Sequence, residues 1–284
     1  MSLDRHFAIL AIGGMGRAAR MSLDGILNQK PKLICCLADK KGKDWVSANS
    51  RGFPICFHSP ESNHQYAAAD DFELGHLQTF GQESFVRLTP YKWDLIASSL
   101  RGHPESKGVM FSDLDVYWFK CYEQEDFGFS SVNDHVFAQK DFFRYSQKKH
   151  FCTGIMYWPN RAENVALLRE MSTAHKDLIF QGNLVPDEPF FNEYLGVQKN
   201  DNKVTELSEK QYVIGHKLLK LLLTKRFSTK GISAFHANYL YGDKEKFIAL
   251  LSMKSKYSGG YFWVLGFVYI SIQKALRKLG LRDV

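Results

Sequence analysis

The sequence predicts an α/β fold with a largely parallel sheet and helices against its faces, and three observations carry that expectation. Strand-like apolar blocks alternate with helix-spaced segments along the chain. The first block, HFAILAIGG, runs into a glycine turn and then a helical pattern. A later block, GVMFSDLDVYWF, breaks its apolar run with two acids, Asp113 and Asp115, as a strand does where a sheet opens onto a ligand.

Taken in order, HFAILAIGG is a first strand, followed by a helix over Arg17 to Asn28. LICCLAD is a second strand ending on Asp39, and FPICFH is a candidate third. Phe85 to Leu100 has helical spacing after Pro90, a residue suited to a first helical turn. RGHPESKG is a turn-rich connection, and GVMF is the strand that delivers Asp113 and Asp115 to its end. CTGIMYWP is another strand, Ala162 to Lys176 a helix, PDEPFFNEYL a helix start and ISAFHANYLYG a late strand and loop.

The bulk numbers suit such a fold. A chain of 284 residues, 45% hydrophobic and 14% aromatic, holds a sizeable core for one large or two small domains. With 24% charged residues and 8 prolines it shows no low-complexity tract. The net charge of +7 is not a nucleic-acid signature, because residues 210–284 carry +11 and the preceding 209 carry −4. The basicity belongs to the C-terminal part. Five cysteines, without a CxxC pair or an even framework, fit a reducing compartment, with Cys35 and Cys36 serving as small hydrophobes. The N-terminus makes a poor signal peptide, and a cytoplasmic address is expected.

GGMGRAAR, Gly13 to Arg20, lacks the GxGxxG spacing of a dinucleotide fingerprint. Two readings stand: a turn near a nucleotide, with Arg17 or Arg20 near phosphate, or a plain tight turn. In FSDLDVYWFK, two aspartates at a strand end can address one hard divalent cation, which readily shares its shell with diphosphate oxygens. The bland alternative is an exposed turn carrying two acids. The core-like flanks, VMF before and VYWF after, favour the metal.

FSDLDVYWF resembles the DxD segment of GT-A glycosyltransferases, and most closely that of the nucleotide-diphospho-sugar transferase family that includes the plant rhamnogalacturonan-II xylosyltransferases. YKWDLIASSL, FAQKD, CTGIMYWP, PDEPFFNEYL and FHANYLYGDKEK resemble further segments of that family in the same order, so the likeness spans Phe85 to Phe247. It implies a GT-A fold, a Rossmann-like mixed sheet flanked by helices, over residues 1–250, with 251–284 as a basic, aromatic segment. It further implies that Asp113, Asp115 and His236 bind Mn²⁺ or Mg²⁺, the histidine as in glycogenin-like galactosyltransferases. An imidazole among carboxylates suits Mn²⁺ better. A core or surface histidine is the alternative for His236.

The glycine turn, read as lying near a nucleotide, would bring Ala11, Gly13, Gly14 and Arg17 to a nucleotide-sugar donor, and the same resemblance places Lys92, Ser112, Asp113, Leu114, Thr153, Gly154 and Lys244 around it. Lys244 would neutralise the leaving diphosphate, and Lys92 would add charge unless it is simply solvated on its helix. Asp187 and Glu188 are the implied catalytic carboxylates near the anomeric carbon. Relatives often carry Asp-Gln where this chain has Asp-Glu-Pro. Glu188 is therefore open to two readings: a nucleophile or ion-pair stabiliser as in retaining glycosidases, or an ordinary helix-start acid.

The C-terminal stretches KLLKLLLTKRFSTK and YSGGYFWVLGFVYISIQKALRKLGLR combine aromatic, aliphatic and basic residues. The uncharged span Tyr257 to Gln273 is at the lower limit for crossing a bilayer and contains three glycines and two serines. Two arrangements remain: an anchor lying on anionic lipid, or a helical hairpin packed on the domain.

The expected function is metal-dependent transfer from a nucleotide-sugar, a UDP-sugar in particular, to a cell-surface glycan such as lipopolysaccharide, O-antigen or capsule, with retention implied by the resemblance. The expected place is the cytoplasmic face of the membrane, with no nucleic-acid partner. A metal-dependent nucleotidyl- or phosphotransferase and an inactive membrane scaffold are the competing classes.

Overall fold

The computed structural model describes residues 5–12, 15–58, 83–122, 127, 136–141, 150–196, 203–223, 231–238, 240 and 242–280. Gly13 and Gly14, expected near the donor, lie outside the described residues, as does Ser59 to Phe80. The chain forms two compact units: Met1–Met15, Lys30–Asp113 and Glu123–Leu207 in the first; Gly16–Gln29, Leu114–Tyr122 and Ser208–Val284 in the second.

The first unit is built on seven strands: β1 (His6–Ala11), β2 (Leu33–Ala38), β3 (Ile55–His58), β4 (Gly108–Ser112), β6 (Val136–Asp141), β7 (His150–Pro159) and β8 (Val204–Leu207). Their spatial order is β3-β2-β1-β4-β7-β6-β8. The half from β3 to β4 is parallel, as the alternating pattern predicts. The sheet as a whole is mixed, because β7 runs antiparallel to both β4 and β6. Strand β2 is an unbroken apolar run whose inner residues are buried, as expected of a central parallel strand. Within it, burial pushes the Cys35 thiol up to about 12, so this cysteine behaves as the small hydrophobe the sequence predicts.

Reversal of β7 has a local consequence. Ser112, the last residue of β4, pairs with Ile155. Asp113, one step beyond, donates its amide to the Gly154 carbonyl at 2.9 Å. The end of β6 meets the start of β7, with Asp141 opposite His150. One end of the sheet thus gathers Asp113, Asp141 and the beginning of β7.

Helices α2 (Lys40–Asn49), α3 (Glu83–Leu88), α4 (Tyr91–Gly102), α5 (Ala162–Phe180) and α6 (Asp187–Tyr194) complete the unit. Asp39 caps α2, its carboxylate accepting from the Gly42 amide at 2.6 Å. Helix α5 runs past the expected Lys176 because its apolar spacing continues through Leu178 and buried Ile179. Trp93 on α4 is fully buried and stacks on Phe191 of α6, with ring centroids 5.9 Å apart. Its indole N–H donates to His175 Nδ1 at 3.1 Å, and His175 Nε2 reaches the Val185 carbonyl at 2.7 Å. Burial holds His175 below its ordinary pKa and therefore neutral, leaving Nε2 to carry the hydrogen. This relay fixes the chain two residues before Asp187.

In the second unit, β5 (Val116–Trp118), β10 (Ala234–His236) and β9 (Tyr212–Ile214) form a small sheet in the order β5-β10-β9. Around it lie α1 (Arg17–Asn28), whose bounds match the sequence expectation, α7 (Leu218–Leu223), α8 (Gly242–Tyr257) and α9 (Phe262–Lys278). Their shared core includes Met21, Tyr117, Phe235, Leu250 and Ile270. Residue 250, the expected division, falls inside α8.

Helix α1 begins on an internal ligand. Asp243 accepts from the Arg17 amide at 3.0 Å and the Ala18 amide at 2.8 Å, satisfying two first-turn donors that have no partner within the helix. A Cβ on Gly16 would lie 2.2 Å from the Asp243 Oδ1, so glycine is required for the carboxylate to reach the amides. Asp243→Ala and Gly16→Ala are each expected to cost about 1 kcal/mol of stability, the size of a lost helix cap. Measured by denaturant titration, the double variant should cost little more than either single one, because both remove the same contact.

Candidate functional site

In the first unit, four elements converge on one buried cation. Lys92 comes from α4, Thr153 from β7, Asp187 from the first turn of α6, and Asp113 from the end of β4. The Lys92 ammonium is bonded to Asp187, stands 3.5 Å from Asp113 Oδ1, and lies 3.3 Å from the Thr153 carbonyl. It also sits 4.6 Å from the centre of the Phe111 ring, an attractive position for a cation. Thr153 Oγ1 donates to Asp187 at 2.6 Å. Lys92 is 3% exposed, which removes the solvated alternative for this lysine.

Charge here is set by competition between burial and pairing. Burial alone would discharge Lys92, but the carboxylates of Asp113 and Asp187 outweigh it and hold its pKa above the usual lysine value. For Asp187, burial pushes upward, while the Lys92 ammonium and hydrogen bonds from Lys92 and Thr153 bring the net shift downward. Both groups are therefore charged at neutral pH.

Glu188, the next residue, has a separate environment. Its Oε1 lies 2.8 Å from His150 Nε2. Carboxylate oxygens of Glu188 and Asp141 and the Cys152 sulfur all lie within 4.8 Å of one another. His150 and Cys152 are two apart on β7 and so share a face, the one opposite to that of Thr153. Burial, with Glu188 and Asp141 adding negative potential, raises the Cys152 thiol well above its ordinary pKa. It is a neutral pocket wall, not a nucleophile. Asn192 holds α6 to β7 by pairing with both the N–H and the C=O of Phe151, each at 2.8 Å, as a neighbouring strand would.

In the second unit, antiparallel pairing places His236 opposite Val116, and the Ala237 amide donates to the Asp115 carbonyl at 2.9 Å. The histidine thereby comes to rest beside Asp115, with Nε2 3.1 Å from Oδ1 but off the line of a hydrogen bond. That oxygen is buried and has no hydrogen-bond partner among the described residues. The other carboxylate oxygen is 2.7 Å from Lys246 of α8. Burial raises the Asp115 pKa, but Lys246 and His236 together pull it well below the carboxylate range. Asp113 and Asp115 are separated only by Leu114, where the chain passes from the first unit to the second.

The expected residues thus divide. Lys92, Asp113, Thr153, Gly154 and Asp187 come together in the first unit, and Asp115 and His236 come together in the second. Ala11 ends β1 and Ser112 ends β4, both buried. Arg17 opens α1 with its guanidinium 5.9 Å from the Phe247 ring centre, and Lys244 stands 5.4 Å from that of Tyr269.

Four residues were not singled out from the sequence: His150, Asn192, Asp141 and Lys246. Asn192 and Asp141 stand inside the quoted segments PDEPFFNEYL and FAQKD, and Lys246 inside GDKEK. His150 belongs to no motif.

Lys92→Met leaves Asp187 buried without its cation and should cost about 3–5 kcal/mol of stability. Lys92→Met combined with Asp187→Leu should recover a large part of that loss. The pair also sets a pH dependence. Asp187 has a depressed pKa when folded, so its contribution is complete above about pH 4, the unfolded carboxylate value, and is lost as pH falls further. Urea titrations from pH 7 to pH 3 should show an acid loss that is smaller in the double variant.

Comparisons with known proteins bear on this arrangement. A family model described as nucleotide-diphospho-sugar transferase matches residues 31–250. Among solved structures, the chain is similar to mouse xyloside xylosyltransferase 1, with 12% identity, 84% of this chain and 98% of that one covered, and a TM-score of 0.54. It is also similar to the galactosyltransferase LgtC in complex with donor and acceptor sugar analogues, with 11% identity, coverage of 87% and 95%, and a TM-score of 0.54. A third likeness is to the glycosyltransferase GlyE of Streptococcus pneumoniae, with 12% identity, coverage of 96% and 64%, and a TM-score of 0.52. No curated protein sequence matches.

Proposed function

The chain belongs to the nucleotide-diphospho-sugar transferase family and has the GT-A architecture of its structural neighbours, and from that premise we propose a metal-dependent, retaining transferase that moves a sugar from a UDP-sugar to a cell-surface glycan. The observation that carries the metal dependence is the buried Asp115 Oδ1, which lacks a hydrogen bond and has an imidazole nitrogen 3.1 Å away. A mixed oxygen and nitrogen donor set of this kind suits Mn²⁺, with Mg²⁺ as the harder alternative. Asp113, Asp115 and His236 are the proposed ligands. When bound, the metal supplies positive charge to the leaving diphosphate oxygens.

The rest of the chemistry belongs to the chain's own residues. As the bond between the anomeric carbon and phosphate breaks, positive charge grows on the sugar and negative charge on the nucleoside diphosphate. Lys246, already directed at Asp115, is the cation proposed to face the departing diphosphate, whereas Lys244, two positions earlier on the same helix, stands over the Tyr269 ring. Asp187 is compensated by Lys92, so its proposed role is to hold sugar hydroxyls with Thr153 and Gly154. Glu188 has an imidazole as its partner, and its carboxylate is the group proposed to stabilise the anomeric carbon. A reducing cytoplasmic setting is part of the reading, supported by five free cysteines, two of which, Cys35 and Cys56, are registered side by side on neighbouring strands.

Incubation with a panel of UDP-sugars and Mn²⁺ should release UDP, and chelation should abolish the release. Asp115→Ala should lower kcat/KM by about a hundredfold or more. Undiminished turnover in that variant would remove the metal assignment, and release of sugar 1-phosphate in place of UDP would point to nucleotidyl transfer. Glu188→Gln should lower kcat about a hundredfold with little change in KM, the pattern of a group that acts mainly in the transition state.

A further inference from the structure

Helix α9 turns its two faces to different surroundings. On the inner face Gly266 and Ile270 are buried. A Cβ on Gly266 would fall 1.7 Å from Ser252 Oγ of α8, so the two helices approach as closely as glycine permits. Arg277 reaches Glu245 of α8 at 2.5 Å. The outer face is the unusual one. Tyr261, just before the helix, and Val264, Leu265, Val268, Ile272 and Leu279 are 42–86% exposed. Their spacings of three, four and seven place them in one stripe, the reverse of an ordinary surface helix, which shows its polar side to water.

The surroundings of the stripe define what would cover it. Lys278 borders it on the same helix, and from Lys246 to Arg282 the sequence carries cations and no acid. A second copy of the chain, packed symmetrically, would set these cations against like charges. An anionic lipid surface complements both the apolar stripe and its basic margin. No helix among the described residues is long and apolar enough to cross a membrane, and a one-sided stripe suits a helix lying in the plane of the interface.

We propose that α9 is an in-plane membrane anchor, with the stripe from Tyr261 to Leu279 seated in the acyl boundary of an anionic phospholipid bilayer and Lys278 on its phosphates. Packing on α8 and docking on lipid use opposite faces, so the two arrangements left open by the sequence are compatible. The proposal stands independently of the reaction proposed above.

Sedimentation of the full chain with phosphatidylcholine vesicles, with and without about one-third phosphatidylglycerol, tests it. Binding should be at least about tenfold stronger to the anionic vesicles and weaken as salt is raised. Leu265→Glu with Val268→Glu should reduce that binding at least about tenfold while leaving the thermal midpoint unchanged, since both side chains are exposed. Lys278→Ala should reduce binding and flatten the salt dependence. Wild-type protein that stays in the supernatant would overturn the proposal. Full binding by the Leu265→Glu, Val268→Glu protein, or a stable dimer that loses its association in that variant without vesicle binding, would do the same. UDP-sugar hydrolysis without vesicles should be equal in all these proteins. If hydrolysis is absent while stripe-dependent binding persists, the anchor stands and the reaction falls.

Discussion

A lysine ammonium held out of water constrains the first unit more than any other group. An isolated charge at such depth would give up its proton. Lys92 keeps it only because Asp187 and Asp113 arrive from distant parts of the chain, 95 and 21 residues away, and because Thr153 donates a further hydrogen bond to the same Asp187 oxygen. Each of those arrivals depends on something else. Asp113 depends on the register of β4 with β7, and Asp187 on the Trp93, His175 and Val185 relay that sets the start of α6. Loss of the cation would therefore be felt by a strand end, a helix start and a sheet register together.

The second unit solves a similar problem with less shielding. Asp115 is flanked by an imidazole and an ammonium, but one of its oxygens is left without a hydrogen bond. Buried polar atoms of that kind are uncommon and are expected where something else completes them. The two units thus treat their aspartates differently: Asp187 is neutralised by a lysine and bonded to Thr153, whereas Asp115 has one oxygen without a hydrogen bond among the described residues.

The legible part of the sequence is local. Bounds such as Arg17–Asn28 follow from apolar spacing, and Asp113 and Asp115 stand out because acids interrupt core-like residues. Lys92 is the instructive case, named from the sequence but with a solvated side chain left open. A lysine on an amphipathic helix looks solvated, and the acids that bury it are remote in sequence. Lys244 and Lys246 differ by two positions and so point to opposite sides of α8, one toward Tyr269 and the other toward Asp115. The sequence reading singles out Lys244 and passes over Lys246, because helix phase is needed to tell which of the two faces Asp115. His150 carries no motif, and its nearness to Glu188 arises only when the start of β7 meets α6.

The carboxylate of Asp243 at the head of α1 has a meaning for any anion approaching the glycine turn. The positive end of a helix is a ready anion site, but here two of its amides are already taken by a group tethered to the same chain. A tethered ligand acts at an effective concentration in the millimolar range or above, so a free phosphate group would meet a competitor that cannot diffuse away. Gly16 then belongs to an internal lock. Under the reaction proposed above, compensation of a donor's diphosphate would fall to lysines and a metal and not to these fixed amides.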